Sequence, residues 1–102
     1  MTPDEVPSDF ERTMGCTVDD LLRCLPIAVP GGRLKVDASA GHARAEFADG
    51  SLRLSWRTVA ERRIALLVIP CLQVRFEFDG LSAGRRHEVQ RRFDLATQRG
   101  GG

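Results

Sequence analysis

The stretch from Ile64 to Phe78, Ile-Ala-Leu-Leu-Val-Ile-Pro-Cys-Leu-Gln-Val-Arg-Phe-Glu-Phe, limits what this chain can fold into more than any other. Successive side chains of a strand point to opposite faces, so the alternating half from Leu72 onward reads as a half-buried strand. The unbroken apolar half from Ile64 to Ile69 reads as a strand apolar on both faces. Pro presets the φ of the first central position of a turn, so Pro70-Cys71 is expected to turn the chain between strands 62–69 and 72–78.

The preceding segment can be placed by register. Asp49-Gly50 is the strongest two-residue hairpin signal in the chain. Pairing outward from it sets Phe47 opposite Leu52, Glu46 opposite Arg53 and Ala43 opposite Trp56, which leaves one face apolar and an ion pair on the other. Ala40-Gly41 and Ala60-Glu61 as further turns set Leu34 against Phe47 and Leu54 against Leu67. The Pro70-Cys71 turn then sets Ile69 against Leu72. The expected fold class is therefore α+β, a five-stranded antiparallel meander (33–39, 42–48, 51–59, 62–69, 72–78) with an N-terminal and a C-terminal helix packed on one face.

Thr17 is the expected N-cap of the first helix, with Asp19 and Asp20 in its first turn and Pro26 ending it after Leu25. Ser82 is the expected cap of a second helix over 83–97. Leu34, Phe47, Leu52, Ile69 and Leu72 should anchor the core. Ala38, Ala43 and Ala65 should make one end shallow enough for a small apolar pocket between sheet and helices.

A chain of 102 residues suits one domain. Residues 1–15, acidic and containing Pro3 and Pro7, read as a flexible acidic arm. Residues 16–98 read as the single α+β domain and 99–102 as a Gly-rich tail. A net charge of +1 names no polyanionic partner. Cys16, Cys24 and Cys71 are odd in number and lack Cys-x-x-Cys spacing, which argues against a disulfide framework and against zinc, and for reduced thiols in the cytoplasm. The run Ile64–Leu72 is too short to span a bilayer, and the opening Met-Thr-Pro-Asp-Glu has no secretory pattern, so no membrane association is expected.

In the expected meander, Ile64, Leu66 and Val68 point to the outer sheet face, between Arg53 and Arg57 on one neighbour and Arg75 on the other. An apolar stripe rimmed by Arg is a contact surface for a protein partner or a second copy of the chain. No aromatic residue falls on that face for base stacking, which argues against single-stranded nucleic acid. His42 and His87 have no carboxylates or thiols at ligand spacing. There is no Gly-x-Ser-x-Gly elbow, and Gly31-Gly32 lacks the Lys and Ser/Thr of a phosphate loop. No catalytic, cofactor-binding or metal-ligating residue is assigned. The expectation is a non-enzymatic interaction or regulatory module, homodimeric through its outer sheet face. The alternatives are a small apolar ligand binder and a C-terminal Gly-Gly carrier.

Three resemblances bear on this reading. Asp37-Ala-Ser-Ala-Gly41, with Val74-Arg-Phe76, resembles the PilZ family of cyclic-di-GMP receptors. Here, however, the Gly comes one residue early and no Arg-x-x-x-Arg precedes it, so no nucleotide site is implied. Arg99-Gly100-Gly101-Gly102 resembles the ending of ubiquitin-like sulfur carriers, although in those a strand, not a helix, precedes the tail. Arg91-Arg-Phe-Asp-Leu-Ala-Thr-Gln-Arg-Gly-Gly-Gly102, with Leu72-Gln-Val-Arg-Phe76, resembles a small family of uncharacterised bacterial proteins of about this length. That likeness covers about the last 40 residues and implies a self-contained bacterial domain.

Overall fold

The computed structural model describes residues 6–100. Five antiparallel strands and two helices follow in the order β1 (Asp9–Met14), α1 (Val18–Ala28), β2 (Arg33–Asp37), β3 (His42–Phe47), β4 (Gly50–Ile64), β5 (Leu67–Asp79) and α2 (Ala83–Gly100). They form one open sheet of order β1-β5-β4-β3-β2. The α+β class with two helices on one five-stranded antiparallel sheet is as the pattern indicated, but two of the strands are not the expected ones.

The first correction is β1. Asp9–Met14, assigned to the flexible acidic arm, is an edge strand paired with β5, Phe10 opposite Phe76 and Met14 opposite Leu72. Phe10 stacks on Phe76 with ring centroids 4.8 Å apart. Arg12, the residue that breaks the apolar alternation, carries its guanidinium 5.3 Å above the Phe76 ring and bonds Asp94 of α2 at 2.6 Å. A long stem can cover apolar surface while its head stays polar, so Arg12 occupies a core-side position without an unpaired buried charge.

The second correction is the opening stretch. Neither Ala60-Glu61 nor Pro70-Cys71 turns the chain: β4 and β5 form one long hairpin closed by Ile64 opposite Leu67, with Ala65-Leu66 as the turn. Ala65 has φ 55°, the one non-Gly residue with positive φ among those described. Two-residue hairpin turns of the primed types require positive φ at their first central position. Pro70 sits at a bulge instead. The Phe78 N–H bonds Ser8, so by alternation Pro70 turns its nitrogen to the β1 side, past the end of β1 at Met14, where no ladder donor is needed; the register slips between Val59 and Arg62 opposite it.

The remaining hairpins are shifted from expectation by two residues. Phe47 pairs with Gly50 and Ala45 with Leu52, while Leu34 pairs with Ala45. A shift of two leaves every side chain on its face, which is why the apolar face still comes out right. Gly50 is thus not a central turn residue. Its small size serves a close approach: a Cβ there would lie 2.3 Å from the Asp79 carbonyl oxygen.

Thr17 caps α1 in a reciprocal box with Asp20. The helix runs through Pro26 to Ala28 rather than stopping at Leu25, because Ala28 and Val29 are both buried in the core. Ser82 accepts from the backbone N–H of Arg85 at 3.2 Å, and α2 extends past residue 97. Of the five expected anchors, Leu52 and Leu72 are fully buried, Leu34 and Phe47 only flank the core, and Ile69, half-buried at the base of the hairpin's outer part, lies outside it. Its centre is instead Phe76 and Phe93, in edge-to-face contact at 5.0 Å. Of the Gly-rich tail, Gly101 and Gly102 lie outside the described residues.

Candidate interaction site

The long hairpin divides at the bulge. Up to Val59 and Cys71 its two strands lie within the sheet, with Leu52, Leu54, Trp56, Leu72, Val74 and Phe76 buried. Beyond the bulge no other strand among the described residues flanks them, and the distal residues stand out as a two-stranded arm. The five residue steps from Ala60 to Ala65 correspond to roughly 17 Å at the usual strand rise. Leu66 at the tip is 100% exposed, Leu67 65%, Val68 51% and Ile64 50%.

This changes the meaning of the expected contact residues. Ile64, Leu66 and Val68 do not form a stripe on the outer sheet face. Pairing places Ile64 with Leu67, and Arg63 with Val68. Neighbouring cross-strand pairs point to opposite faces of a ladder, so Ile64 and Val68 lie on opposite faces of the arm, with Leu66 in its turn. Apolar side chains are therefore presented all round the tip, beside Arg62 and Arg63. Glu61 bonds Arg63 at 3.1 Å.

The three rim arginines stay on the outer sheet face but no apolar strand separates them: Arg53 pairs across with Glu77, Ser55 with Arg75 and Arg57 with Gln73. Arg75 bonds Asp9 at 2.7 Å. That hydrogen bond and the Asp9 charge, with Glu77 adding to them, push the Arg75 guanidinium above its ordinary range. Arg53 and Arg57 are in no ion pair among the described residues, and Arg53 sits opposite Arg44, itself opposite Lys35. Sequence reasoning thus found the outer-face arginines and three of the four exposed apolar residues of the arm but not how they are grouped. It missed Leu67, and it missed β1, whose alternation of Asp9, Glu11 and Thr13 with Phe10 and Met14 was the available signal.

Under the base of the arm, a cleft of about 690 Å³ opens among Met14, Cys16, Leu21, Cys24, Val68 and Ile69. It does not coincide with the expected Ala-lined end: Ala43 is buried in β3, Ala38 is exposed in the β2–β3 turn and Ala65 is at the arm tip. Burial pushes the Cys16 thiol up, and Asp20, Cys24 and Cys71 push in the same direction. A thiol so held is protonated and a poor nucleophile at neutral pH. Among the described residues no group of three or more His, Cys, Asp or Glu could hold a metal ion, and no helix is long and apolar enough to cross a membrane. His42 lies 4.0 Å from Asp37 at the β2–β3 turn, and His87 is on α2.

Comparison of the chain with protein-family models, curated proteins and solved structures finds no match.

Proposed function

We propose that this chain is a non-enzymatic interaction module that self-associates through the β4–β5 arm. One observation carries the reading: four large apolar side chains, Ile64, Leu66, Leu67 and Val68, are at least half exposed on a single projecting element. Burying one such side chain contributes on the order of 1.5–3 kcal/mol, so leaving four in water is costly unless a partner covers them. A second copy suits the arm because it carries charges of both signs, Glu61 beside Arg62 and Arg63. In a two-fold contact each Glu61 can face an Arg of the other arm.

Sedimentation velocity over a concentration series tests this. The wild-type chain should reach the mass of a dimer, and Leu66→Glu should remain monomeric while melting at the wild-type temperature when both are compared at concentrations too low for association. A wild-type chain that is monomeric at every concentration would sink the proposal.

The cleft under the arm supports a second reading, a small apolar ligand bound between Met14, Leu21, Val68 and Ile69. Its volume of about 690 Å³ is in the range of small-molecule sites. A thermal-shift screen with apolar compounds should then find hits that Val68→Glu, at a half-exposed lining position, abolishes.

A further inference from the structure

We propose that the groove between β1 and α2 takes up an extended peptide as a sixth strand, one whose side chains alternate basic and apolar. The inference concerns the edge of the sheet and is independent of the arm. β1 is an edge strand, bonded to β5 on one side. The Ser8 carbonyl accepts from the Phe78 N–H at 2.7 Å, and the register continues as Phe10 opposite Phe76 and Arg12 opposite Val74. In an antiparallel ladder, bonded and non-bonded pairs alternate, so the backbone groups of Asp9, Glu11 and Thr13 point away from β5 to the free edge. Such an edge is a template for an added strand.

A groove of about 530 Å³ lies beside this edge, lined by Phe10 and Arg12 of β1 and by Gln90, Asp94, Leu95 and Gln98 of α2. Leu95 is 48% exposed. Gln90 is 4% exposed, its amide N–H bonds Asp94 at 2.9 Å, and its Oε1 has no hydrogen-bond partner among the described residues.

The occupant follows from alternation. On the outer face an added strand would adjoin Asp9 and Glu11, and on the inner face Phe10 and Leu95. Asp9 is bonded by Arg75, whereas Glu11 accepts from the neutral Gln73 amide at 3.3 Å and, though it feels the Arg75 charge, is in no ion pair among the described residues. Basic residues outward and apolar residues inward match both faces. A second copy pairing through β1 matches poorly, because the two symmetric antiparallel registers of greatest overlap set like charges together, Glu11 against Glu11 in one and Arg12 against Arg12 in the other.

Amide NMR on the full chain, titrated with a short end-capped peptide alternating lysine with valine, tests the proposal. Shifts are expected at Asp9, Glu11, Thr13 and Leu95, and a glutamate–valine peptide should bind at least about tenfold more weakly. Glu11→Pro removes an outward N–H that β5 does not use, so the fold should persist while affinity falls about tenfold. Glu11→Lys should reverse the preference between the two peptides. Equal binding of both peptides, shifts confined to other surfaces, or indifference to both substitutions would overturn the proposal. So would a concentration-dependent dimer that Glu11→Lys dissolves, which would make a second copy the occupant.

Discussion

The two halves of the β4–β5 hairpin share the same pair of strands and much the same apolar content, yet they meet opposite fates. Below the bulge, Leu54, Val74 and Phe76 are buried under the helices; above it, Leu66, Leu67 and Val68 stand in solvent. The division falls at Pro70, where the ladder slips. Strand formation and burial are therefore separable here. Hydrogen-bond pairing carries the hairpin past the sheet, while coverage stops where β1, β3 and the helices stop.

Substitution of one residue from each half should give the largest contrast. Phe76 is fully buried between Phe10 and Phe93, so Phe76→Ala should cost about 3–5 kcal/mol in urea unfolding, a large share of what a domain of this size has. Leu66→Ala, made at low protein concentration so that association does not contribute, should change stability by less than about 0.5 kcal/mol. Comparable losses at the two positions would mean that the arm packs on the body, and the contrast drawn here would fail.

The same contrast explains what could be read from the sequence. The apolar face of β3, β4 and distal β5 was legible because alternation fixes parity, and a register wrong by two, as at Ala45 opposite Leu52, preserves parity. The turn at Ala65-Leu66 was not legible: neither residue favours positive φ, while the better turn signal, Pro70-Cys71, lies inside a strand. Nor was β1, because Arg12 at a core-side position looks like a broken pattern until Asp94 and the Phe76 ring are known to receive it. Arg53, Arg57 and Arg75 could be assigned to the outer face from parity alone. That Ile64 and Val68 end on opposite faces follows from the turn at Ala65-Leu66, which local pattern does not reveal.

A smaller effect is expected at the arm turn. Ala65 is held at φ 55°, where a side chain costs about 1 kcal/mol relative to Gly. Ala65→Gly should relieve that cost, so amide exchange of Arg62, Ile64 and Leu67 should slow by up to about fivefold. Amides of Val74 and Phe76 should be unchanged, since the arm opens without the body. Slowing at all of these positions alike would show the hairpin opening as one unit and remove the boundary at the bulge.

The smallest effect concerns the body alone and depends on pH. The Thr17 backbone N–H bonds the Asp20 carboxylate, and with the further contacts to the Thr17 side chain and Arg23 this holds the Asp20 pKa below its ordinary value. A carboxylate with a lowered folded-state pKa favours the unfolded chain when protons are added. Its contribution is complete above the unfolded value, about 3.9, and is lost as pH falls through the lower folded value. Asp20→Asn should therefore lower the melting temperature slightly at pH 7, with the difference from wild type shrinking below about pH 4. Because α1 belongs to the covered half, the Ile64 and Leu67 amides should exchange alike in both proteins once intrinsic rates are allowed for. If protonation of Asp20 also speeds their exchange, the cleft residues beside it couple the helix to the arm, and the two halves of the hairpin are not independent after all.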